Sequence, residues 1–121
     1  MADATLAQVR NRTLEKLFVL IAGETADATD TEIVERVIAN TNEELRENEL
    51  CYWSDSATPQ YLVEWLAAYY ACFLANDYMD AGEARIFKED RRTGLDACMA
   101  KIRELTATKR RVDNQTASLH F

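Results

Sequence analysis

Apolar and polar positions alternate along this chain at helical spacing. Leu6, Val9, Leu14, Leu17, Phe18 and Ile21 follow an approximate 3.6-residue period, with Arg10, Arg12, Glu15 and Lys16 mostly facing away. They predict a first helix over about residues 3–22, with Gly23 as its stop. A short polar loop, 24–29, follows. Thr29 and Glu32 have capping-box spacing, so a second helix should begin near Asp30. Ile33, Val34, Val37, Ile38, Thr41 and Leu45 form one face of it. The opposite face and the end are acidic, with Glu35, Glu43, Glu44, Glu47 and then Glu49. Acids at a helix C-terminus oppose the macrodipole, so the last turn is expected to fray.

The densest apolar stretch is QYLVEWLAAYYACFLA, residues 60–75, in which Glu64 is the one charge. A helix apolar nearly all round is buried on most faces. About 15 residues are too few to span a membrane, which takes about 20. Thr58 as N-cap and Pro59 at the first helical position would open it. Ala67, Ala68, Ala71 and Ala75 make a small-residue side; Leu62, Trp65, Leu66, Tyr69, Phe73 and Leu74 make a bulky one. The small side admits a close helix, from the same chain or from a neighbouring subunit.

Asp80 and Glu83 repeat the capping-box spacing and predict a fourth helix to about Thr106. Its inner face reads Ala84, Phe87, Arg91, Leu95, Cys98, Met99, Ile102 and Leu105. Arg91 interrupts that stripe, and Gly94 weakens the helix by about 1 kcal/mol relative to alanine. Residues 88–92 read as a solvated mixed-charge face. From Lys109 onward, KRRVDNQTASLHF is poor in apolar residues until Leu119, His120 and Phe121. Such a segment forms no core of its own and reads as a tail, disordered alone or ordering on a partner. The expected organisation is all-α: a four-helix bundle-like single domain over 1–108, and an extended C-terminal tail over 109–121.

Composition narrows this picture. The 121 residues suit one domain, and three glycines with one proline are too few turn residues for an all-β protein. A formal net charge of −7 disfavours nucleic-acid affinity as the main role. Cys51, Cys72 and Cys98 lack CxxC spacing, two of them inside apolar helical patterns; they read as buried reduced thiols, with a disulfide or a catalytic thiol as the alternative. The first residues lack the basic start and continuous apolar run of a signal peptide, which predicts a soluble protein made in the cytoplasm.

Little in the chain points to catalysis, and no cofactor or metal is expected. The one histidine, His120, lies in the tail, which leaves no placed imidazole for general-base or triad chemistry. There is no phosphate loop, zinc spacing or dinucleotide fingerprint. The acids of the second helix lack the Asp/Asn alternation and glycine of a calcium loop and read as a solvated face or an electrostatic surface. Glu64 has two readings: a carboxyl raised in pKa by desolvation, or one that faces solvent or pairs with an arginine. In the connector over 50–57, LCYWSDSA, the rings of Tyr52 and Trp53 either cap the bundle or form a contact patch.

The stretch VEWLAAYYACFLANDYMDAGEARIFKEDRRTGLDACMAKIREL, ending at Leu105, resembles the head-to-tail connector (adaptor) proteins of tailed bacteriophages. The likeness lies in an apolar helix, a short acidic junction and a helix with a charged FKEDRR middle. It implies a structural virion protein, found at the head–tail junction, that forms a ring of neighbouring copies, usually twelve, below the portal protein. Such a ring extends the DNA channel, helps retain packaged DNA without sequence-specific binding, and joins tail or neck proteins. On this reading Glu43, Glu44, Glu47 and Glu49 would face the channel or the surface, and Tyr52 and Trp53 would meet a partner. Lys109, Arg110 and Arg111 would pair with portal acids, with Leu119 and Phe121 as apolar anchors. The alternative is a cytoplasmic all-helical protein-binding regulator.

Overall fold

A computed structural model of the protein describes residues 2–119, with side chains described through Lys109. Five helices follow in order: α1 Leu6–Lys16, α2 Ala28–Glu47, α3 Gln60–Tyr78, α4 Ala81–Lys88 and α5 Leu95–Leu119. The fold is all-α, and among the described residues the only β-type pairing is an isolated antiparallel bridge between Ala4 and Thr58.

α3 is the axis of the domain, and each of the other helices packs on it. Its alanine side does what the sequence implies: Ala67, Ala68, Ala71 and Ala75 are all buried, as are Leu62, Leu66, Tyr70 and Leu74. α1 runs parallel to α3. Ala4 pairs with Thr58 through two backbone hydrogen bonds (2.7 and 2.9 Å), Arg12 and Lys16 reach Glu64, and Phe18 lines a groove with Met79. α2 and α5 run antiparallel to α3. Tyr78 donates to Asp30 at 2.8 Å near one end of α2, and Tyr70 donates to Asn42 further along it. On α5, Cys98 lies beside the Cys72 level of α3, Lys101 sits 5.8 Å over the Trp65 ring, and Lys109 shares a groove with Tyr61.

Several boundaries depart from the sequence-based expectation, each for a local reason. α1 starts at Leu6, not near Asp3, because Thr5 and Gln8 form a reciprocal capping box (3.2 and 2.9 Å). It stops at Lys16, well before Gly23. Phe18 takes a left-handed backbone (φ 61°), which turns the chain so that Leu17 and Leu20 are buried while Phe18 and Ile21 are exposed. α2 begins at Ala28 because Asp27, rather than Thr29, accepts the Asp30 amide. Its acidic end does not fray before Glu47, since Arg46 sits in the last turn and bonds Asp55, the Trp53 carbonyl and Glu43. At α3 the N-cap is Pro59, without a side-chain cap, and Thr58 is spent on the bridge to Ala4.

The expected single fourth helix is two helices. Asp80 caps α4 by accepting from the Glu83 amide (2.8 Å). After Lys88 the chain turns: the Asp90 carboxylate accepts from the Arg92 and Thr93 amides (2.8 and 3.0 Å). A side chain at Gly94 would bring its Cβ within 2.5 Å of the Asp90 and Lys88 carbonyl oxygens, so that position demands glycine. Arg91 therefore lies exposed in the turn and not on an inner face. Ala84, Cys98 and Ile102 are buried as expected, with Phe87, Leu95, Met99 and Leu105 half-buried around them. α5 continues to Leu119, so backbone positions 109–119 of the segment set apart as a tail extend this helix.

Candidate functional site

Two apolar surfaces lie at opposite ends of α3, whose 19 residues span about 28 Å. The first is a groove of about 860 Å³ where α3 begins, walled by Tyr52, Trp53, Pro59 and Tyr61, with Asp3 and Lys109 at its edge. Tyr52 and Tyr61 join hydroxyl to hydroxyl, and Tyr52 meets Trp53 edge to face, with ring centroids 5.3 Å apart. The two connector rings divide the roles offered for them. Trp53 is buried and closes the bundle, whereas Tyr52 is 49% exposed and faces out.

A polar network beneath holds this end rigid. Asn42, fully buried on α2, accepts from Tyr70 and donates to Asp55 at 2.8 Å. Asp55 also accepts from Arg46 at 2.9 Å, and Arg46 donates to the Trp53 carbonyl at 3.0 Å, which also receives the Cys51 thiol. Burial drives the Tyr70 phenol well above its ordinary pKa. The network thus stays neutral at Tyr70, and the Asp55 hydrogen bond raises the Arg46 guanidinium above its ordinary pKa. The Trp53 indole N–H is buried without a hydrogen-bond partner.

The second surface lies where α3 ends. A groove of about 330 Å³ is bounded by Phe18, Met79, Ile86 and Phe87, with Glu83 and Asp90 on its rim. Phe18 is 87% and Ile86 69% exposed. On the flank between these ends, Phe73 is partly exposed against Tyr69 and beside Glu44 of α2, although the sequence pattern grouped it with the bulky buried side.

Glu64 takes the ion-pair reading, not the desolvated one. It accepts two bonds from Arg12 (2.9 and 3.0 Å) and pairs with Lys16 at 2.8 Å. The Arg12 bonds, opposed by modest burial and aided by Lys16, hold its carboxyl below the usual carboxylate range. Cys72 and Cys98 both donate to the Thr93 carbonyl (3.6 and 3.3 Å). Burial pushes these thiols up to about 12 and about 11, which suppresses the reactive thiolate.

Glu43, Glu44, Glu47 and Glu49 are all exposed at the end of α2 and just beyond it. Among the described residues no group of three or more His, Cys, Asp or Glu side chains is placed to hold a metal ion. Lys109 is exposed at the aromatic groove, and the side chains of Arg110, Arg111 and Leu119, with His120 and Phe121, lie outside the described residues. Among the described residues no helix is long and apolar enough to cross a membrane. Sequence reasoning missed the Phe18–Ile86 surface. Its signal was present in the crowding of Leu17, Phe18, Leu20 and Ile21, which cannot all face one core. The chain matches no family model, no curated protein and no solved structure.

Proposed function

We propose that this protein is a structural adaptor of the head–tail junction of a tailed-phage virion. Its copies form a ring below the portal protein, extending the DNA channel, helping retain packaged DNA and joining tail or neck proteins. The observation that carries this reading is the pair of unlike apolar surfaces at the two ends of α3. A two-fold dimer uses one patch twice, whereas a ring needs two different patches that meet head to tail. The resemblance of the stretch ending at Leu105 to phage connectors supplies the setting. The exposed acids at the end of α2 fit a channel wall that repels DNA and lets it slide.

Native mass spectrometry of the protein mixed with the portal protein of the same virus tests the proposal. Stepwise addition of about a dozen copies per portal ring, the number the resemblance implies, supports it. A one-to-one complex with some other protein, and no portal binding, would move the assignment to a helical regulator that uses the aromatic groove alone.

A further inference from the structure

We infer that residues 110–121 of one copy dock in the Phe18–Ile86 groove of the next copy; this inference rests on the assembly reading above. The groove is apolar, and its only charged lining residues among those described are Glu83 and Asp90. Its best complement is an apolar element flanked by cations. The segment after Lys109 supplies that combination: Arg110 and Arg111 at one end, Leu119 and Phe121 at the other.

Helical register supports the same occupant. Cys98 and Leu105 lie on the inner face of α5, and positions 112 and 119 follow at the same seven-residue interval, occupied by Val112 and Leu119. The apolar stripe therefore runs on after α5 has drawn level with Tyr61, near the start of α3. Ten further helical residues, about 15 Å, follow Lys109. They run toward the end of the domain opposite the Phe18–Ile86 groove, so a copy cannot fill its own groove and must reach a neighbour's.

The groove itself is costly if left open. Phe18 holds a left-handed backbone, a conformation that disfavours a bulky L-residue, and exposes its ring. Leu17 and Leu20 already anchor the turn, so the bundle gains no packing from Phe18. An apolar neighbour that covers Phe18 and Ile86 would recover that surface.

The experiment is cysteine cross-linking in the full chain assembled with the portal protein. Ile86→Cys and Leu119→Cys are combined, with each single variant as control and native mass spectrometry run in parallel. Ile86 is mostly exposed, so its replacement spares the core. The expected result is a ladder of covalent multimers of this chain in the double variant, absent from both single variants. Charge reversal sharpens it: Glu83→Lys should weaken the ladder, and Arg110→Glu with Arg111→Glu in the same chain should restore it. A ring that assembles without the ladder overturns the docking inference and leaves the adaptor reading standing. Cross-linking of position 119 to the portal protein does the same and assigns the segment there. No ring at all overturns both.

Discussion

The two long connectors of this fold treat their aromatic residues in opposite ways. Between α2 and α3, residues 48–59 carry Tyr52 and Trp53, and polar side chains of α2 with a backbone bridge to Ala4 hold the segment. Arg46 grips the Trp53 carbonyl and Asp55, Asn42 grips Asp55, and Thr58 is bridged to Ala4. Between α1 and α2, residues 17–27 are anchored by Leu17 and Leu20, while Phe18 and Ile21 stand in solvent. One connector is a fixed wall and the other an open edge. Where a helix side chain binds the connector's backbone, as Arg46 does at Trp53, the ring beside it is held inside; where Leu17 and Leu20 are the anchors, the ring between them turns outward.

Breaking the wall should cost most. Trp53→Ala removes a ring buried under the connector and is expected to lower unfolding stability by about 3–5 kcal/mol in urea titrations. A loss near zero would mean that the polar network alone holds the segment. Asn42→Leu keeps the branched shape, leaves the buried Tyr70 hydroxyl without its acceptor and leaves Asp55 with Arg46 alone, for an expected loss of about 1–3 kcal/mol. The open edge should respond with the opposite sign. Phe18→Gly relieves the left-handed backbone and deletes an exposed ring, so the isolated protein should gain up to about 1 kcal/mol, read as a higher melting temperature.

The smallest effect concerns Glu64, which belongs to neither connector and serves as a calibration of surface charge. Its carboxyl is held below its ordinary pKa in the fold, so its contribution is complete above the ordinary carboxylate range. That contribution is lost as pH falls through the folded-state value. Because the group is more than half exposed, Glu64→Gln should cost less than about 1 kcal/mol at pH 7. The gap between wild type and variant should close in acid. Equal gaps at pH 7 and pH 3 would show that the ion pair is not its source.

The sequence made α3 legible through its length, its single charge and its alanine spacing, and made the inner face of α2 legible through its period. It hid the break between α4 and α5. Asp90 lies inside a run of charges that reads as a solvated helical surface, and its carboxylate folds back on the Arg92 and Thr93 amides, a contact the run does not reveal. Glu64 was legible as an isolated charge but not as the partner of Arg12, 52 residues away, because that pairing depends on α1 lying parallel to α3. At the candidate sites, Tyr52 and Trp53 were visible as a pair. Their division into an exposed and a buried ring follows from Asn42, Arg46 and Asp55, residues whose meeting is tertiary.

The parallel alignment of α1 with α3 also has a kinetic meaning. Antiparallel neighbours zip up across a connector, α1 on α2 and α2 on α3, but the pairing that brings the N-terminus to α3 forms only after α2 has crossed the domain. The Ala4–Thr58 bridge closes a loop of more than fifty residues and carries a correspondingly late entropic cost. The N-terminal strap should therefore be the last piece to acquire protection when refolding is followed by pulsed hydrogen exchange. Early protection at Ala4 would instead place the strap in the folding nucleus. A nascent chain, by this route, can close its N-terminal bridge only once residues near position 60 have been made.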